Sequence, residues 1–153
     1  MAEKPKMSPI LVPVDFSPHS EAALVYAVRL ARCLGEPLLI LHVVHDPGNL
    51  PGYYSLALKK KQVDRIEDRA AEMLTAYLAT MAQRYPDLEE LQKPHSLLVK
   101  GLPSSRILEV AEQQGVGLIV LGSKGLTGLK HLLMGSVAER VVHLARCPVT
   151  VVK

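Results

Sequence analysis

The chain has 153 residues, 48% of them hydrophobic and 22% charged, with a formal net charge of +3. That length fits one domain and a sizeable core without disulfides, and no apolar run reaches the ~18–20 residues of a membrane span. The mild charge, with one Phe, five Tyr and no Trp, is a poor basis for a nucleic-acid surface.

The start, MAEKPKMSPILVPVDF, is charged, and its apolar part is broken by Pro13 and closed by Asp15. It is no secretory signal, so the expectation is a cytosolic protein whose Cys33 and Cys147 stay reduced. Residues 1–8 read as a loose tail, and 9–153 as a single domain.

PILVPVD, 9–15, reads as a buried strand with Pro13 near its end, because proline cannot donate to a ladder. Ser17 followed by Pro18 is a helix start, a side-chain cap and then proline at the first helical position. Leu24, Ala27, Val28, Ala31 and Leu34 mark the buried face, and Gly35 with Pro37 stops the helix. A second strand covers 37–45, a turn-rich loop 46–54, and a long helix roughly 56–84. Val63, Ile66, Ala70, Met73, Tyr77 and Met81 are its expected inner stripe. A third strand, 95–101, leads to a helix over 103–115, with Ser104 as candidate cap and Gly115 as stop. VGLIVLG is a fourth strand, SVAERVVHLAR a fourth helix and CPVTVVK a fifth strand. Continuous apolar strands alternating with helices predict a doubly wound α/β fold, a parallel sheet with helices on both faces.

Such sheets bind ligands beyond the carboxyl ends of the strands, where strand order reverses, and strand 1 flanks that point in both common orders. Four of the ten glycines lie in LGSKGLTGLKHLLMGSVAER, 121–140, directly after strand 4. The spacing is Gly122, two residues, Gly125, nine residues, Gly135, then Ser136. Glycine permits positive φ and close backbone approach, and inward-turned amides form an anion nest. Gly135-Ser136 opens a helix, whose N-terminus attracts phosphate, and Lys124 adds a mobile positive charge. The stretch is neither a P-loop, since Gly122 and Gly128 are one residue too far apart and Leu129 intervenes, nor the dinucleotide GxGxxG. A second account needs no ligand: Ser136 and Glu139 make a capping box, and the glycines turn the chain.

The chain resembles the universal stress protein family over nearly its whole length. The resemblance rests on ILVPVDFS, on LHVV in strand 2, and on GSKGLTGLKHLLMGSVAERVVHLARCPVTVV with its G-2x-G-9x-G-[S/T] pattern. That pattern marks the family's ATP-binding branch. The resemblance implies a Rossmann-like sheet of the adenine nucleotide alpha hydrolase type, five parallel strands in the order 3-2-1-4-5, with ATP between strands 1 and 4. It implies Asp15, beside Pro13, near the ribose and the metal-bound phosphates, and Val43 pairing its backbone with adenine. Gly122, Ser123, Lys124, Gly125, Thr127 and Gly128 match the triphosphate loop; Gly135, Ser136 and Val137 match the second wall. Magnesium or manganese would accompany the phosphates, Asp15 serving the metal indirectly. The family also implies a homodimer through strand 5. In that order PVTVV is a short apolar edge, which calls for antiparallel pairing of Val149 and Val151 across a two-fold axis.

Other residues carry less. His42 and His45, three apart on a strand, point to opposite faces, so a shared metal is not expected. His131 and His143 match no ligand spacing, His19 stands near the expected cleft, Lys59, Lys60 and Lys61 read as a solvated face, and Tyr53 and Tyr54 fall in the loop after strand 2. Three functions remain open: a nucleotide-dependent regulator or sensor in stress response, a slow ATPase, and a dimeric interaction protein with a vestigial pocket. Hydrolysis needs an oriented water and charge at the leaving phosphate, yet 122–135 contains no Arg or Gln, which favours binding over turnover.

Overall fold

The computed structural model describes residues 8–45, 60–126, 131 and 133–153. Its elements are β1 (Ile10–Pro13), α1 (Pro18–Leu34), β2 (Leu38–His45), α2 (Lys60–Arg84), a 3-10 turn (Glu89–Leu91), β3 (Ser96–Gly101), α3 (Pro103–Gln113), β4 (Leu118–Gly122), α4 (Ser136–Leu144) and β5 (Val149–Val152). All neighbouring strands pair in parallel in the order β3-β2-β1-β4-β5, so the order reverses between β1 and β4.

Strand alternation divides the core. Ile10, Val12, Val14 and Ile40 pack with α1 and α2, whereas Leu11, Leu39, Leu41, Ile119 and Leu121 pack with α3 and α4. Each such aliphatic side chain, removed from water, contributes about 1.5–3 kcal/mol, which is why the strands read as unbroken apolar runs.

Helix ends follow their local chemistry at α1. Ser17 caps it, its Oγ accepting from the Ser20 N–H at 3.2 Å, with Pro18 in the first turn and Gly35 at φ 69 closing it. Gly115, at φ 61, follows the end of α3. Other expectations need correction. Leu34, the last residue of α1, is exposed. Along α2 the inner face is Ala70, Leu74, Leu78 and Met81, with Tyr77 partly buried against it; Ile66 and Met73 are exposed. At ~100° per residue, Ile66 and Met73 fall to one side of the line through 70, 74 and 81, away from the centre of the buried stripe. The side chain of Val63 lies outside the described part, as do the tail 1–7, the loop 46–59 and Lys59 within it. Helix α3 is capped by Leu102, which makes no side-chain bond, so Ser104 sits inside the first turn.

Candidate functional site

Pro13 is the last residue of β1, and it pairs with Leu41. Strand β2 runs on to His45, beside β3 alone. The Leu41 carbonyl accepts from the Val14 N–H at 2.8 Å. Two residues on, Val43 turns its own N–H and carbonyl to the same side, past the end of β1. A donor and an acceptor therefore stand side by side where the sheet opens.

The β1–α1 turn is tightly bonded. Asp15 Oδ1 accepts from the Ser17 N–H at 3.0 Å, and the Asp15 N–H donates to Ser20 Oγ at 3.3 Å. The second carboxylate oxygen crosses the sheet's switch point and accepts from the Leu126 N–H at 3.2 Å, between residues 111 apart in sequence. Each oxygen thus takes one backbone donor and keeps acceptor capacity for a further group. Phe16, between these partners, has φ 67.

Opposite, β4 ends in Gly122 and buried Ser123. The Ser123 N–H donates to the Val152 carbonyl at 2.8 Å, and the Gly135 N–H donates to the Ser123 carbonyl at 2.6 Å. That second bond clamps the start of α4 to the end of β4. Gly135 is the N-cap of α4 and makes no side-chain bond. The expected capping box of Ser136 and Glu139 is therefore not formed: the helix begins one residue too early for it. The Ser136 hydroxyl is left free of that duty, at the rim of the cleft. α4 also ends at Leu144, two residues short of the expected end.

The glycines serve close approach, not positive φ. Of the described residues only Gly35, Gly101, Gly115 and Phe16 have positive φ, so of the two freedoms glycine offers, Gly122, Gly125 and Gly135 use the close approach. A Cβ on Gly122 would lie 2.7 Å from the His19 carbonyl carbon, and one on Gly125 2.7 Å from Asp15 Oδ2. One on Gly135 would lie 3.4 Å from both the Lys124 Cα and the Ser123 carbonyl oxygen.

These parts enclose one cleft of about 460 Å³. Pro13, Asp15, Val43, Gly122, Ser123, Lys124, Gly125, Gly135, Ser136 and Val137 all line it; Thr127 and Gly128 lie outside the described residues. Lys124 is half-buried and makes no ion pair with a described residue. The sequence reading missed the apolar wall: Leu41, Pro103, Ile107 and Leu121. Leu41 was within reach, two residues before Val43 and on the same face. Pro103 and Ile107 open the helix after β3, and nothing local marks them.

Beneath the turn, the Phe16 ring stacks on His42 (centroids 4.4 Å, 29°) and leans on Tyr77 (5.1 Å, 58°). His42 Nδ1 lies 2.8 Å from the Val14 carbonyl, which only accepts, so Nδ1 carries the proton. The Tyr77 hydroxyl is buried without a hydrogen-bond partner, and burial, helped by Glu21, pushes the phenol up to about 12. His19 contributes its backbone, against Gly122, and does not line the cleft; His45 and His131 are exposed. Among the described residues no three His, Cys, Asp or Glu side chains cluster as a metal site. Cys33 and Cys147 are free thiols. No described helix is long and apolar enough to cross a membrane.

The family model for universal stress proteins matches residues 7–153. The chain belongs to the universal stress protein family. A universal stress protein of Methanocaldococcus jannaschii is 33% identical over 151 residues, covering 94% of this chain and 93% of that one. The solved universal stress protein UspA from Lactobacillus plantarum is 31% identical with a TM-score of 0.77, over 95% of this chain and 97% of that one. Two more distant universal stress proteins share the fold. One, from Archaeoglobus fulgidus, was solved in complex with dAMP (24% identical, TM-score 0.60, 95% of this chain and 98% of that one). The other was solved in complex with cAMP (22% identical, TM-score 0.61, 95% and 96%).

Proposed function

We propose that this universal stress protein is an ATP-binding module, a nucleotide-dependent regulator or sensor in stress response. The observation that carries the reading is the assembly of the whole described G-2x-G-9x-G-S pattern around one cleft, opposite Asp15. The cleft is apolar along Leu41, Pro103, Ile107 and Leu121, which suits the faces of a base. Val43 offers a neighbouring donor and acceptor, which complements the amino group and ring nitrogen of adenine. The phosphates would then lie toward Lys124, the amides near Gly125 and the helix start at Gly135-Ser136. Homologous folds with dAMP and with cAMP support an adenine ligand in this family.

A magnesium or manganese ion fits this arrangement only as a companion of the phosphates. The described side chains form no cage of their own. Asp15, holding one free acceptor direction on each oxygen, would take a metal-bound water. Such an ion would neutralise phosphate charge. Asp15 is the one carboxylate among the described lining residues, and two backbone donors hold it. With no Arg or His beside it there, binding is favoured over turnover.

The second part of the proposal is a homodimer through β5. That strand is short, apolar and at the sheet's edge, so Val149 and Val151 would pair antiparallel with their copies. Sedimentation at micromolar concentration should give a dimer; a monomer would end that part.

Calorimetry with ATP and magnesium tests the first part. Micromolar binding at one site per chain is expected, and Gly135→Val, whose branched side chain would part α4 from the Ser123–Lys124 backbone, should abolish it while leaving the dimer. Absence of heat from a folded dimer, or normal binding by Gly135→Val, would overturn the reading.

A further inference from the structure

We infer that Phe16 is a positioning residue: its ring, held between His42 and Tyr77, keeps the β1–α1 turn left-handed and so holds Asp15 on the β4–α4 loop. Among the described residues Phe16 alone, apart from glycines, has positive φ, at 67°. A side chain in that region crowds the following carbonyl, so the conformation persists only where the surroundings impose it. An outlier beside the acid of a cleft points to a use.

The surroundings are explicit. On the α1–α2 side of the sheet the Phe16 ring packs on the imidazole of β2 and the phenol of α2. The imidazole is itself fixed by the Nδ1–H bond to the Val14 carbonyl, two residues before Phe16. Tyr77 bonds nothing through its hydroxyl, so its contribution there is packing. On the other side, the flanking residues are tied to each other, Ser17 N–H to Asp15 Oδ1 at 3.0 Å. Asp15 Oδ2 is tied to the Leu126 N–H at 3.2 Å. Gly125 lies so close to that oxygen that a Cβ would sit 2.7 Å from it. If φ at Phe16 relaxed to a negative value, the chain direction between Asp15 and Ser17 would change. The carboxylate would then leave Leu126. The contacts thus form one line through the sheet's end: Tyr77 and His42, Phe16, Asp15, Leu126. Movement of α2 or of the carboxyl end of β2 would be felt at the ligand loop along this line.

Phe16→Ala and Phe16→Gly separate the roles of ring and backbone. Both lose the ring, but glycine takes positive φ without steric cost and alanine does not. Both should therefore melt lower than the native chain, the alanine variant by more. With Phe16→Ala, hydrogen exchange of the Leu126 amide should accelerate at least tenfold, and the Kd for ATP with magnesium should rise about tenfold. With Phe16→Gly, both readouts should return to within about threefold of native. His42→Ala, which leaves Phe16 in place and removes its stacking partner, should also speed exchange at Leu126. Native protection of Leu126 in Phe16→Ala, or equal losses in the alanine and glycine variants, would overturn the inference and leave the ring a packing role only. The affinity readout rests on the nucleotide reading. If the native chain binds no ATP, that reading fails, and exchange at Leu126 in the three variants still decides this one.

Discussion

Gly122→Ala isolates the packing of α1 on the end of β4. The added Cβ would lie 2.7 Å from the His19 carbonyl carbon, 2.8 Å from its oxygen and 3.0 Å from its Cβ. Ordinary contact requires ~3.4 Å or more, so α1 must retreat by about 0.7 Å or β4 must bend. Neither close backbone atom belongs to a side chain that can rotate away. The cost belongs near the upper end of the range for overpacking, about 3 kcal/mol. Alanine returns roughly 0.4–1 kcal/mol by stiffening the unfolded chain, which leaves a net loss of about 2 kcal/mol. For 153 residues the unfolding entropy is about 0.3 kcal/mol/K. The melting temperature should therefore fall by about 6 °C, measured by calorimetry or circular dichroism without ligand. A Gly122→Ala protein melting within 1 °C of native would refute the argument. It would mean that the close approach does not constrain the chain and that Gly122 is there for some other reason.

The same one-carbon change at Gly125 should behave differently, because it meets only Asp15 Oδ2 at 2.7 Å. Gly125→Ala should keep the native melting temperature to within about 2 °C, since a carboxylate can rotate, and weaken ATP about tenfold in calorimetry, since Asp15 would release Leu126; native affinity would count against the Asp15–Leu126 tie. Lys124→Met keeps the aliphatic stem and removes the charge, so ATP should weaken by about 1.5 kcal/mol or more, the worth of a charge-assisted bond, with AMP changed by less than about threefold; equal losses for both would place Lys124 away from the outer phosphates. Tyr77→Phe deletes a buried hydroxyl that has no partner and should raise stability at neutral pH by about 1 kcal/mol. Because the Tyr77 phenol is pushed up to about 12 from the ordinary 10, native stability is whole below pH 10 and declines as pH rises toward 12. The phenylalanine variant should lack that decline, about 1–2 kcal/mol after allowance for solvent screening, in urea unfolding followed across that range; parallel curves would refute it.

Signals carried by one element were legible in the sequence. Pro13 lies at the end of β1, where its missing donor does no harm, and Ser17, Pro18 and Gly35 bound α1 as their chemistry requires. Strand–helix alternation was enough for the parallel sheet. Choices between adjacent candidates were less legible. Ser104 and Ser136 both have the chemistry of caps, yet Leu102 and Gly135 take those places. A tertiary bond, Gly135 N–H to the Ser123 carbonyl, helps set where α4 begins. Ile66 and Met73 have the right period for α2 but stand at the edge of a stripe whose centre is set by the sheet beneath. The left-handed Phe16 left no mark at all, since its cause is a ring from β2 and another from α2.

The question of why four glycines follow one strand then has a physical answer for the three that are described. Gly122 lets a helix backbone reach the sheet, Gly125 lets a carboxylate reach the loop, and Gly135 lets the start of α4 reach the end of β4. Each contact joins parts of the chain that local propensity cannot relate, and all three glycines line the same cleft. The intervals of two and nine residues are consequences of those contacts. The short one carries the chain from α1 to Asp15; beyond the long one, the Gly135 N–H bonds the Ser123 carbonyl at 2.6 Å. That backbone bond holds the end of β4 and the start of α4 together without calling on any side chain. It follows that substitutions at the glycines should act on the cleft far more strongly than equally large substitutions at exposed Leu133, which takes no part in the closing bond.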